Sequence, residues 1–198
     1  MLQLNRKKSG VFFGALILTT PNIAPAAEID IIQDAQNSTL NIQSQNQVDD
    51  FSLDIEQSGV ENSGELDINT ALNLVATQIG QQNTFIVKAF SGSSTVSFDQ
   101  AGSNNLLDIQ LDGSNLLSIV NQSGSSNTID LNLSGSDNTS NITQLGSGSS
   151  IELNQSGSEN EFFVTQDCSS CALLANQSAS SMRITIDQMG DGSNITID

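Results

Sequence analysis

Along most of the chain apolar and polar residues alternate one by one. Asn127-x-Ile129-x-Leu131 and Ser149-x-Ile151-x-Leu153-x-Gln155 put one kind of residue at every second place and leave mainly Asp, Glu, Asn and Thr between. A period of two belongs to an extended strand, whose successive side chains point to opposite faces, and not to the 3.6-residue period of a helix. Glycines punctuate the runs: Gly80, Gly92, Gly102, Gly113, Gly124, Gly135, Gly146, Gly157 and, after a gap, Gly190. From Gly102 to Gly157 every step is 11 residues, and the 33 residues to Gly190 make three further periods, with Cys168 and Ala179 at the intervening places. The unit has the template Q-x-G-x-x-N-x-φ-x-φ-x, with φ apolar, as in Gln155-Ser-Gly157-Ser-Glu-Asn160-Glu-Phe162-Phe-Val164-Thr. Counting from the glutamine, positions 6, 8, 10 and the next position 1 share one face, and positions 7, 9 and 11 the other. Positions 2–5 form a tight arc, where glycine's tolerance of positive φ is useful.

Two consecutive units differ in a regular way, which fixes the larger repeat. One set carries Gln78, Gln100, Gln122, Gln144, Gln166 and Gln188 at position 1, each 22 residues apart, with Gln57 before them. The other set carries Phe90, Leu111, Leu133, Gln155 and Gln177. The expected fold is therefore all-β: a β-solenoid, or cross-β stack, of 22-residue coils, each made of two 11-residue strand-arc units. Identical amides stacked at the strand spacing of about 4.8 Å can hydrogen-bond along the stack, so glutamine takes the place of missing apolar side chains inside. Asparagine at position 6, at Asn83, Asn105, Asn127, Asn138 and Asn160, has two roles open to it: a similar ladder, or capping the arc backbone.

Before residue 78 the pattern persists with slips. Ile29-x-Ile31-x-Gln33, Leu40-x-Ile42 and Phe51-x-Leu53-x-Ile55-x-Gln57 keep the alternation, but Gln57 to Gln78 is 21 residues and Gly80 to Gly92 is 12. Residues 27–45 read as an irregular leader or a frayed first coil, and residues 46–198 as the repeat domain. The stretch from Glu28 to Asp198 has room for roughly eight coils, a stack about 37 Å tall.

Charge narrows the functions. The 22 acidic residues face 5 basic ones, and Arg6, Lys7 and Lys8 precede every acid. Beyond residue 27 only Lys88 and Arg183 remain, so the balance there is 2 − 22 = −20. Such a chain cannot supply the counterion release that drives nucleic-acid binding, and anionic lipid would repel it. With no His, a Ser-His-Asp triad and a His-based zinc site are out of reach, and no catalytic carboxylate pair stands out; Asp49-Asp50 resembles turn residues. No enzyme activity, cofactor or metal is expected. Scattered acids without a D-x-D-x-D-G loop or a glycine-rich nonapeptide read as a solvated face, not calcium sites.

The amino-terminal segment reads as an address. Arg6-Lys7-Lys8, the apolar run Val11 to Leu18 and Ala24-Pro25-Ala26 have the order of a secretory signal, residues 1–26, cut after Ala26 or Ala27. The apolar run is too short for a membrane span, which needs about 20 residues, so no membrane insertion is expected. At the other end Ile195-Thr196-Ile197-Asp198 stops on a strand pattern with no capping element, which reads as a stack built to be continued.

The repeated segments Gln57-Ser-Gly-Val-Glu-Asn62, Gln78-Ile-Gly-Gln-Gln-Asn83, Gln100-Ala-Gly-Ser-Asn-Asn105, Gln122-Ser-Gly-Ser-Ser-Asn127 and Gln155-Ser-Gly-Ser-Glu-Asn160 closely resemble the curlin repeat of bacterial curli fibres, over about residues 46–198. The resemblance implies a subunit secreted through a dedicated outer-membrane pore. With itself and a sister curlin subunit it would build functional amyloid on the cell surface, in the biofilm matrix. Departures are Leu111 and Leu133 for Gln, Ser149 and Ser193 for Asn, and Cys168 and Ala179 for Gly. They lean toward the minor, nucleating type, with major subunit and nucleator both left open.

Cys168-Ser-Ser-Cys171, at arc positions 3 and 6, has no second pair or His to complete a zinc site. A local disulfide in an exported protein, or two free thiols, are the readings open to it. The competing function is a monomeric secreted solenoid that binds ice or carbohydrate. Ice binding calls for a flat threonine array, whereas Thr139-Asn141-Thr143 stands beside Glu161-Phe163-Thr165.

Overall fold

The structure is a computed structural model and describes residues 2–5, 16–19, 28–36, 39–44, 52–68, 72–90 and 92–198. All their regular elements are strands. The first six are β1 (Leu2–Asn5), β2 (Leu16–Thr19), β3 (Glu28–Gln36), β4 (Thr39–Ser44), β5 (Ser52–Val60) and β6 (Ser63–Ile68). Next come β7 (Leu72–Gln81), β8 (Thr84–Ala89), β9 (Ser94–Ser103), β10 (Leu106–Ser114), β11 (Leu116–Ser125) and β12 (Thr128–Ser136). The last are β13 (Thr139–Ser147), β14 (Ser150–Gln155), β15 (Glu161–Ser169), β16 (Ala172–Gln177), β17 (Arg183–Met189) and β18 (Asn194–Ile197).

Odd-numbered strands form one nine-stranded sheet and even-numbered strands another, each strand bonding to those two places before and after it. Every pairing is parallel, as in β9 with β11 and β12 with β14. One odd strand and the even strand after it make one coil, so the chain is a β-solenoid with about 22 residues per turn. The strands alternate buried residues with less buried ones, half-buried in β8, because the inner face of each sheet packs against that of the other.

Slips in the sequence fall in arcs, never within strands. Gln57 pairs with Gln78 and Ile68 with Ala89, both 21 residues apart, while Leu72 pairs with Ser94 at 22; the arc between β6 and β7 is one residue short. A deletion inside a strand would turn its apolar side chains to solvent, whereas an arc can shorten without changing the pleat. The same register corrects position 1 of one unit. Ala89, not Phe90, stacks beneath Leu111 and is buried, while Phe90 stands exposed. Gly92 lies at the fourth place of that arc, which accounts for the 12-residue step.

Residues 28–36 and 39–44, within the expected leader, are strands β3 and β4, paired in register with β5 and β6. They continue the stack, so the coils extend below residue 46. Of the expected export signal, Leu2–Asn5 and Leu16–Thr19 pair with β3 and β4; Arg6-Lys8 and Ala24-Pro25-Ala26 lie outside the described residues, as does Asp49-Asp50.

The core between the sheets is a column of side chains from positions 8 and 10, including Leu53, Ile55, Leu74, Val87, Ile109, Ile129, Ile142, Leu153 and Phe162. Phe85 and Phe98 meet from opposite sheets with ring centroids 4.9 Å apart. Gly64, one coil before Phe85, leaves the room that ring fills: a Cβ there would run into it. Buried polar residues flank this column at positions 1 and 6.

Candidate functional site: amide ladders and the coil edge

The inward glutamines of the odd sheet form one uninterrupted chain of hydrogen bonds. Nε2 of Gln57, Gln78, Gln100, Gln122, Gln144 and Gln166 each donates to Oε1 of the glutamine in the next coil, ending on Gln188, at 2.5–2.9 Å. The second amide proton is used as well. Gln100 gives it to the Thr84 carbonyl, Gln122 to Leu106 and Gln166 to Ser150, at 3.1–3.2 Å, tying the odd sheet to the even one. Complete pairing makes so polar a column tolerable inside. All the amides point the same way, so the ladder has a direction.

The second ladder is short. Gln155 donates to Gln177 at 2.9 Å, but Gln155 Oε1 has no hydrogen-bond partner, because Leu133 stands one coil before it. Gln177 in turn donates to the Met182 carbonyl.

The asparagines at position 6 take the arc-capping role. Asn105 Nδ2 donates to the Ala101 carbonyl in its own arc and to the Gly124 carbonyl in the next, while its Oδ1 accepts the backbone N–H of Asn127. Asn83 and Asn127 repeat this in the same column, and Asn138 and Asn160 in the other. Each one binds two arcs together through backbone groups. No amide-to-amide bond links them, so here the Asn part of the expected ladder is replaced by a clamp.

The arc glycines have a steric reason. A Cβ on Gly80, Gly102, Gly113, Gly124 or Gly135 would overlap the carbonyl oxygen of the glycine above, and on Gly146 or Gly157 that of Cys168 or Ala179. Above Gly190 there is nothing within 4 Å. Cys168 and Cys171 are joined in a disulfide that closes its arc between positions 3 and 6. The neighbouring coil fits around it: Ser149 Oγ donates to the Cys168 carbonyl at 2.9 Å and accepts from the Cys171 N–H at 3.2 Å.

Two features escaped the sequence reading. Position 5 of the arcs is left-handed even without glycine, with φ of 54–59° at Glu61, Gln82, Asn104, Asn115, Ser126, Asp137, Glu159, Ser170 and Ser181. Outside the even sheet, Asn132, Asn154, Asn176 and Asp198 form a third ladder, each Nδ2 donating to the next Oδ1 at 3.0 Å. Its trace in the sequence is three asparagines at position 11, 22 residues apart.

The outer face is acidic on the even sheet. Asp108, Asp130 and Glu152 stack in register. Burial raises the pKa of Asp108 above the ordinary 3.8, with the neighbouring Asp130 charge adding to it and Lys88 opposing. On the odd sheet Arg183 pairs with Glu161 and lies 5.7 Å above the Phe163 ring. The pair holds the Glu161 carboxyl below its usual range.

At the far edge, β17 and β18 have no further strand above them among the described residues. Inward Ile184, Ile195 and Ile197 are only partly buried there, whereas their counterparts one coil below, Phe162, Leu173 and Ala175, are covered. Among the described residues no group of His, Cys, Asp or Glu could hold a metal ion, and no helix is long and apolar enough to cross a membrane. No protein-family model, curated protein or solved structure matches this chain.

Proposed function

We propose that the protein is a secreted, self-assembling subunit of an extracellular fibre of the curli type, acting as a major or nucleating component in a bacterial surface matrix. Its partners are further copies of itself, a sister subunit of the same repeat and a dedicated outer-membrane secretion pore. The observation that carries this reading is the directional glutamine ladder from Gln57 to Gln188, which uses the same bonds at every coil and so can be extended by any coil of the same pattern. The partly covered Ile184, Ile195 and Ile197 give an apolar gain for doing so. A monomeric binding module would call for a uniform outward array, yet the stacked Thr139, Glu161 and Arg183 change character from coil to coil.

The test is assembly of the exported, processed chain diluted from denaturant. The expected course is a lag phase that preformed fragments abolish, giving fibres with a reflection near 4.7–4.8 Å along their axis. A chain that folds to a lasting monomer, indifferent to added fragments, would overturn the reading.

A further inference from the structure

Positions 3 and 6 of the arc from Gln166 are both cysteines, and the bond between Cys168 and Cys171 is shut in from two sides. The two residues are 5% and 2% exposed, although Ser170 between them stands in solvent. On the lower side Ser149 bonds to the backbone of both. On the upper side the next arc, Gly190 to Ser193, sits against the sulfur, with the Gly190 carbonyl 3.3 Å and Ser193 Oγ 3.5 Å from Cys171 Sγ. Hydrogen bonds fasten this arc down. Gly192 N–H donates to the Ser169 carbonyl at 2.9 Å, and Ala172 N–H to the Ser193 carbonyl at 3.1 Å. Ser169 N–H donates to Asp191 Oδ1 at 2.8 Å, and Gln188 Nε2 to the Ser193 carbonyl at 2.7 Å.

A disulfide is made and broken by exchange, in which a thiolate attacks one sulfur of an S–S bond and the other sulfur leaves. When a small disulfide oxidises the pair, one cysteine thiolate displaces the first thiol of the reagent, and the other cysteine displaces the second. Two electrons and two protons pass from the cysteines to the reagent, and a small dithiol reverses both steps. Each step needs a second molecule against sulfur. Arcs stacked at the strand spacing of about 4.8 Å leave no such space between them.

We propose that the arc Gly190 to Ser193 is a latch over Cys168 and Cys171, so that the pair exchanges with thiols or disulfides only while the β17–β18 coil is open. The redox state is then set on the open chain and kept once the coil closes. A folded chain holds its disulfide in reducing surroundings, and a chain folded with free thiols holds those under a small disulfide. The latch requires only folded coils and stands or falls independently of the fibre reading.

The test is reduction of the folded, oxidised chain by dithiothreitol, with free thiols labelled after a quench. The rate is expected to be at least about 100-fold below that of the same chain in denaturant. Asp191→Ala removes the acceptor that holds Ser169 and should speed reduction by about threefold or more. Asn83→Ala removes a clamp between Ile79 and Gly102 in a distant coil and should leave the rate unchanged. A folded-chain rate within about threefold of that in denaturant would overturn the latch. Acceleration by Asp191→Ala no greater than that by Asn83→Ala would overturn it as well, since sulfur would then be reached without a specific opening of this coil.

Discussion

Glutamine at position 1 is an apolar residue in location and a polar one in chemistry, and the cost of removing it depends on where its ladder is cut. Gln122 accepts from Gln100 and donates to Gln144 and to the Leu106 carbonyl. Gln122→Leu leaves a buried donor below and a buried acceptor above without partners, so it is expected to cost about 2–4 kcal/mol in chemical denaturation of the assembled stack. The short ladder behaves differently because its first acceptor is already orphaned. Replacing Gln155 and Gln177 together by Leu removes both partners of one bond, and the Met182 carbonyl that Gln177 also meets keeps the Glu161 N–H, so stability should change by no more than about 1 kcal/mol. A Gln122→Leu loss as small as that of the double variant would show that the ladder contributes little beyond its volume.

At the scale of one strand and its arc, the structure shows two ways of closing the same turn. In the arcs that carry an asparagine at position 6, it bonds the carbonyl at position 2 of its own arc and the carbonyl at position 3 in the next coil, as Asn127 does with Ser123 and Gly146. In the arc from Gln166 the disulfide between Cys168 and Cys171 closes the loop, and the Cys171 sulfur lies 3.3 Å from the Gly190 carbonyl. A covalent bond across so short a loop restricts the unfolded chain little, so its contribution should be replaceable by the ordinary clamp. Restoring the repeat residues with Cys168→Gly and Cys171→Asn together is expected to leave the melting transition within about 1 kcal/mol of the oxidised parent. Loss of β15–β18 from the protected core in hydrogen exchange of that variant would show that this arc needs its covalent closure.

For the whole molecule the decisive quantity is charge repeated along an axis. Parallel in-register stacking places Asp130 over Asp108 and Glu152 over Asp130, so these three coils bring like charges together, while Ile86 before them and Leu174 after them are uncharged. Burial, and after it the Asp130 charge, raise the Asp108 pKa in the stack above its ordinary value. An acid with a raised pKa binds its proton more tightly when folded, so its stabilising effect is complete below the ordinary value of 3.8 and is lost as pH rises through the raised one. Stacking should therefore be favoured by acid. Asp108→Asn is expected to stabilise the coils at neutral pH and to flatten the fall in stability between acidic and neutral buffer, read from denaturation midpoints at several pH values. A pH profile unchanged by this variant would show that the column is fully screened. Under the proposed function, this repulsion would slow stacking at neutral pH.

The alternation, the 22-residue spacing of Gln78 to Gln188 and the glycine steps were enough to determine two parallel sheets, the inward face and the stacking of like on like. They suffice because a period-two pattern leaves only one face to bury and because a repeated polar residue can satisfy itself only by meeting its own copy. What lay beyond them depended on how the coil closes. Ala89 rather than Phe90 faces inward because the arc, not the strand, absorbs the displaced Gly92. Left-handed backbone at Glu61, Gln82 and Ser126 has no common side chain to announce it, since it is imposed by joining two strands at a fixed distance. Asn132, Asn154 and Asn176 look like solvated residues one at a time and become a ladder only when coils stack in register. The sequence by itself determined the inward set, Phe90 excepted, and which coil stacks on which; tertiary structure alone decided which backbone groups the asparagines clamp and where each arc turns, because these follow from three-dimensional closure of the coil and not from its period.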